Sequence, residues 1–144
     1  MIFLAASFVF LLDRLVKGLV LAKMAFGQSI EVLPGIFRLT FIANNGTAFG
    51  LFKGQNTTLG IVSAVIAALI IMYALRHKGK VGFVISASLG LILGGALGNL
   101  FDRILYGYVI DFFDFRVWPV FNVADSAITV GTVILALYYA SHLN

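Results

Sequence analysis

From Thr57 to Leu75 and from Val81 to Leu100 the chain carries no charged residue. As helices rising about 1.5 Å per residue, both runs are long enough to cross a hydrocarbon layer of about 30 Å. A third apolar run, Phe121 to Leu143, is interrupted only by Asp125 and His142. The first, Ile2 to Ala22, is apolar to Leu12 and then meets "DRLVK", with Asp13, Arg14 and Lys17. It begins apolar and has no small-residue cleavage site, so it reads as a retained span rather than a signal peptide. The pattern predicts four transmembrane helices, at about 2–22, 57–75, 81–100 and 121–143, with long connections at 23–56 and 101–120. Within the first connection, "SIEVLPGIFRLTFI" (29–42) alternates in β-rich residues around a Pro-Gly turn, which predicts a small sheet or hairpin at the membrane surface.

Composition agrees with a lipid solvent. The 144 residues are 61% hydrophobic and 11% charged, and mean hydropathy is +1.05. These values describe a mostly α integral membrane protein, with one domain over 1–144 and little chain left for a soluble unit. Cysteine is absent, which excludes a disulfide framework, a thiol nucleophile and thiolate metal ligation. The net charge of +4 comes from ten Lys and Arg that are scattered or sit beside apolar segments, which argues against nucleic acid as a partner. The link "RHKGK" (76–80) concentrates Arg76, Lys78 and Lys80, so it is expected in the cytoplasm. Four spans then put both termini in the cytoplasm and both long connections outside. The aromatic run "DFFDFRVWPVF" (111–121) suits anchoring at headgroup level.

Depth gathers the polar residues into one layer. Asp13 lies about 16 Å along a helix entering from inside. Asn99, Asp102 and Arg103 close the third span at its outer end, Asn122 and Asp125 open the fourth, and Asp111, Asn44, Asn45 and Gly46 lie on outer connections. Ionisable groups at such depth usually face a bundle interior or a wet cavity, which makes a shared polar site the working hypothesis. The two histidines, His77 and His142, fall on the opposite side, so a serine triad has no base there. No HExxH is present for a zinc protease. Carboxylates, amides and one arginine remain. Two carboxyls close together in a low dielectric share a proton, so one activates water while the other protonates the carbonyl oxygen and then the leaving nitrogen, without metal or cofactor. On spacing alone, Asp111 and Asp114 are equivalent candidates to partner Asp125.

Blander roles exist for several of these residues. Asp13 and Lys17 are four apart and suit an internal ion pair that lets the helix insert. Asp102 with Arg103 suits a helix-end anchoring pair. The glycines of "LGLILGGALGN" (89–99) suit close helix packing, and Asp125 suits a helix-start acid favoured by the dipole. A different functional class, a small proton-coupled transporter or channel bundle, would use Asp13, Asp102 and Asp125 as relay sites.

Five blocks in order, "DRLVK" (13–17), "NNGTAFG" (44–50), "GNLFDR" (98–103), "VIDF" (109–112) and "FNVADSAI" (121–128), resemble the signature blocks of the bacterial lipoprotein signal peptidases, the signal peptidase II family. The resemblance implies an aspartic endopeptidase of the bacterial inner membrane. Its substrate would be a prolipoprotein carrying diacylglycerol on a cysteine, cut just before that cysteine, near the extracytoplasmic leaflet. It implies Asp111 and Asp125 as the catalytic pair, and leaves Asp114 as a solvated acid at headgroup level. Supporting roles fall on Asn44, Gly46, Asn99, Asp102, Arg103, Asn122, Asp13 and Lys17. In this reading Arg103 pairs with Asp102 and locks the connection carrying Asp111, Asn44 and Asn122 bond the carboxyls or the substrate, and Gly46 offers a positive φ beside Asn44. Membrane lipids and globomycin-type inhibitors are the further implied partners, and a monomer is expected. Arg14 departs from the family, which usually has glutamine there.

Overall fold

A computed structural model describes residues 1–46 and 54–142. Its elements run α1 (Ile2–Lys23), β1 (Ser29–Leu33), β2 (Phe37–Asn44), α2 (Asn56–Arg76), α3 (Phe83–Tyr106), β3 (Val109–Asp114) and α4 (Val123–Ser141). Three of the helices, α2, α3 and α4, are long and apolar enough to cross a membrane. The 22-residue α1 is long enough too, but it carries Asp13, Arg14, Lys17 and Lys23. Thr47 to Lys53, which includes most of the "NNGTAFG" block, and Leu143, the expected end of the last span, lie outside the described residues.

The helix α3 is central and packs against α1, α2 and α4. Close approach is made possible by the absence of side chains: a Cβ at Gly94 would lie 2.6 Å from the Ala6 carbonyl oxygen and 2.7 Å from Val9 Cβ. Ile2, Ala6, Ala67, Ile70, Ala74 and Leu93 form one apolar cluster at that level. Outward positions such as Leu4, Phe8, Leu15, Ile61 and Leu137 are exposed, whereas the largest fully buried side chains include Lys17, Asn122, Asp13, Asp102 and Asp111. A polar interior under an apolar exterior is the arrangement that a lipid solvent selects.

One expected helix is longer than its apolar run. α3 continues past Leu100 to Tyr106 and stops where Gly107 takes the left-handed conformation (φ 78°). Asp102 and Arg103 are therefore helical, one turn beyond Asn99, rather than on the connection expected at 101–120. The small sheet or hairpin expected over 29–42 is present: β1 pairs antiparallel with β2 through Ser29↔Thr40, with Gly35 at φ 74° in the turn, and β3 completes a three-stranded sheet ordered β1-β2-β3. The third strand comes from what was read as a connection, and it pairs with β2 through Ile42↔Asp111 and Asn44↔Val109. Val20, Met24, Phe41, Ile110 and Phe112 seat this sheet against the C-terminal end of α1.

Candidate active site

Asp111 is carried by β3 and is fully buried. Successive strand residues point to opposite faces, so Asp111 and Asp114, three apart, cannot share one. Asp111 Oδ2 accepts from Asn44 Nδ2 (2.8 Å), and its Oδ1 accepts from Asn122 Nδ2 (2.7 Å). The Asn44 amide is oriented by Gly46, whose N–H donates to Asn44 Oδ1 (2.9 Å). Gly46 thus contributes through its backbone amide. Asp114, expected as a solvated acid, is half-buried and accepts from Thr40 Oγ1 (2.8 Å) and the Arg116 N–H (2.9 Å).

Asp125 is held by the start of α4. Asn122 is the N-cap, and its Oδ1 accepts from the Asp125 N–H (2.9 Å) while Asp125 Oδ2 accepts from the Asn122 N–H (3.3 Å), a reciprocal capping box. The expected helix-start role of Asp125 is therefore real and coexists with its place in the cluster. Its second oxygen, Oδ1, accepts from Asn99 Nδ2 (2.7 Å). Asn122 consequently touches both acidic residues, the Asp111 carboxyl through Nδ2 and the Asp125 backbone through Oδ1. Asn99 Oδ1 also lies 3.1 Å from Asn122 Nδ2, which joins the two amides to each other.

Below this layer lies an ion network. Lys17 is 1% exposed, and its Nζ reaches Asp102 Oδ2 (2.7 Å), Asp13 Oδ2 (2.9 Å) and Asn99 Oδ1 (3.1 Å), one acceptor for each of its three donors. Arg14 bridges the same two acids, Nη2 to Asp13 Oδ2 (2.8 Å) and Nη1 to Asp102 Oδ1 (2.6 Å), with its guanidinium 4.8 Å above the Phe101 ring. The Asp13–Lys17 pair expected from spacing is present, but as part of a larger set. The Asp102–Arg103 pair is not: adjacent helical residues point about 100° apart, so Asp102 faces α1 while Arg103 faces away, its Nη1 3.5 Å from the Asn99 carbonyl oxygen. What Asp102 locks is nonetheless the segment carrying Asp111, because its Oδ2 accepts from the Ile110 N–H (3.1 Å). Asp13 does the same for α4, accepting from the Ala124 N–H (3.0 Å).

Above the layer opens a cavity of about 550 Å³, floored by Asn44, Asn99, Arg103 and Asp125 and walled by Phe115, Trp118, Pro119, Phe121, Ile128 and Val130. Asp125 lines it, and Asp111 sits behind, within the amide network. Burial, then the neighbouring Asp125 carboxylate, push the Asp111 carboxyl up to about 7, against the opposing pull of the Asn44 and Asn122 amides and the Lys17 charge. An acid in that range can hold or release a proton near neutrality. Among the described residues no group of three or more His, Asp or Glu is placed to hold a metal ion. His77 and His142 cap the far ends of α2 and α4.

Sequence reasoning missed the two backbone N–H groups, the role of Arg14, and the aromatic wall. The Arg14 signal was available in its three-residue spacing from Lys17 on a helix; the backbone contacts had none.

The model of the signal peptidase (SPase) II family matches residues 5–141. A lipoprotein signal peptidase of Halothermothrix orenii is 42% identical over 138 residues, covering 96% of this chain and 94% of the relative. Another, of Burkholderia thailandensis, is 48% identical over 88% of this chain and 80% of its own. A solved bacterial membrane enzyme superposes with a TM-score of 0.87 at 32% identity, over 96% of this chain and 86% of that one. On this evidence, continuous along nearly the whole sequence, the chain belongs to the signal peptidase II family, a family of bacterial membrane proteases.

Proposed function

We propose that the protein is an aspartic endopeptidase that removes the signal peptide from diacylglyceryl-modified prolipoproteins, cutting just before the lipid-bearing cysteine, with Asp111 and Asp125 as the catalytic pair. The observation that carries this reading is Asn122, whose one side chain bonds the Asp111 carboxyl and caps the Asp125 backbone at the floor of an amphipathic cavity. Two carboxyls in such a setting share one proton. The ionised member takes a proton from water as its oxygen attacks the scissile carbonyl carbon, and the protonated member gives its proton to the carbonyl oxygen. Collapse of the tetrahedral intermediate breaks the C–N bond, and a proton passes to the departing nitrogen, leaving a free carboxyl terminus on the signal peptide and a free amine on the cysteine.

In this reading Asn44, Gly46, Asn99 and Asn122 hold the pair and Arg103 lines the floor toward the substrate, while Asp13, Lys17 and Asp102 fix the elements beneath. α1 is the fourth span: the charges at its middle turn inward, with Asp13 at 0% and Lys17 at 1% exposure, while the exposed Lys23 stands in its last turn. Both termini lie in the cytoplasm with the "RHKGK" link, and the pair lies near the outer leaflet, where a monomer meets its substrate from the lipid. Family membership and the fixed donors around Asp13 and Asp102 favour this over a proton-relay bundle.

The test is cleavage, in detergent and without added metal, of a diacylglyceryl-modified lipobox peptide. Asp111→Asn and Asp125→Asn are each expected to lower kcat at least about a thousandfold while inserting normally, and globomycin is expected to inhibit. Full cleavage by both variants defeats the assignment.

A further inference from the structure

The backbone N–H groups that Asp102 and Asp13 accept belong to Ile110 and Ala124, the residues immediately before Asp111 and Asp125. Each of the two acidic positions is therefore preceded by a peptide tied to one buried carboxylate of the ion network. Those two carboxylates are in turn tied to each other by two cations, Lys17 from the inside and Arg14 from the rim. Lys17 places one nitrogen among three acceptors, whereas Arg14 spends a separate nitrogen on each acid. A planar guanidinium holds those nitrogens at a fixed separation and orientation, which a flexible ammonium does not. Its plane is also set from outside, by the Phe101 face at 4.8 Å.

We propose that Arg14 is a positioning residue: by spanning Asp13 and Asp102 it sets, through the Ala124 and Ile110 N–H groups, the separation of the two backbones that carry Asp125 and Asp111. The ring it closes contains two carboxylates and two cations and is neutral as a unit. Without Arg14, Asp102 Oδ1 loses its ionic partner, and only the Lys17 and Ile110 contacts, both on Oδ2, still aim the carboxylate. A small change at that point moves β3 relative to α4, and geometry of this kind matters more to the transition state than to substrate binding. The inference rests on the catalytic reading of Asp111 and Asp125.

The experiment compares kcat and KM of the unmodified protein, Arg14→Met and Arg14→Lys on the same lipidated peptide in detergent. Arg14→Met is expected to lower kcat about tenfold with KM changed less than twofold, and Arg14→Lys to recover part of that loss by restoring the charge without the fork. If Arg14→Met does not accumulate folded, Arg14→Gln, which keeps hydrogen bonding and length, is read the same way with a smaller expected loss of about threefold. A wild-type kcat in the neutral variant, or a loss confined to KM, overturns the proposal alone. Failure of the unmodified protein to cleave overturns the functional reading, and this proposal with it.

Discussion

Between Ile2 and Val9, α1 meets α3 through Ala6 and Val9 seated on Gly90 and Gly94, with Leu93 almost wholly enclosed. From Asp13 to Lys17 the same two helices meet through four charged side chains. Lipid tails are as apolar as leucine, so the first contact gains nothing from leaving water; it holds by dispersion between closely approached backbones. The second contact bears the desolvation of four charges, which is repaid only where every donor and acceptor is met. The apolar half therefore tolerates any change that keeps the distance, and the ionic half tolerates only changes that keep the partners. Only the ionic half reaches on to the site.

The sharpest way to break this contrast is Lys17→Met, which leaves Arg14 alone to balance Asp13 and Asp102 in a buried space. A loss of about 3–5 kcal/mol is expected, read by unfolding in detergent, with cleavage lost as well. A pH series tests the site to which this half reaches, without altering the ring. The Asp111 carboxyl, at about 7 in the folded protein against an ordinary 3.8, favours the folded state fully below about pH 4, and that contribution is lost as pH rises through 7. Melting temperature is expected to show this falling limb in the unmodified protein and to lose it in Asp111→Asn. In the apolar half, Gly94→Ala drives a methyl group against the Ala6 carbonyl, and is expected to cost about 1–3 kcal/mol while kcat per folded molecule stays unchanged. Smallest is Thr40→Val, which removes a hydroxyl from Asp114 at the sheet face away from the pair; about 1 kcal/mol of stability is expected to go, with activity kept.

The same contrast explains what was legible in the sequence. Long apolar runs, uninterrupted for α2 and α3 and broken only by Asp125 and His142 for α4, located these helices, because length and hydropathy act locally. α3 runs six residues past the apolar run that predicted it, because Arg14 and Lys17, far earlier in the chain, neutralise Asp102 within the helix, and nothing local announces that. β3 was missed because "VIDFFD" has no alternation to read: its first four residues are all buried, so it resembles an aromatic anchor as much as a strand. Blocks in family order named Asp111 and Asp125, and chemistry alone left Asp114 equal to Asp111 until a strand's two faces separated them. Asp125 was legible as a helix-start acid, whereas its reciprocal bonding with Asn122 in a capping box emerged only from the structure. The tethering of Ile110 and Ala124 by side chains was not legible either, since a backbone amide has no letter of its own.

The neutral ring also bears on the order in which the protein is made. Ribosomes deliver α1 first, with two cations and a single acid on its inward face, and the acid that balances it, Asp102, arrives only with α3. The intervening helix, α2, contributes no charge to the ring. During synthesis the first helix therefore waits with an unmatched positive charge, and its final seat exists only once the third has entered the bilayer.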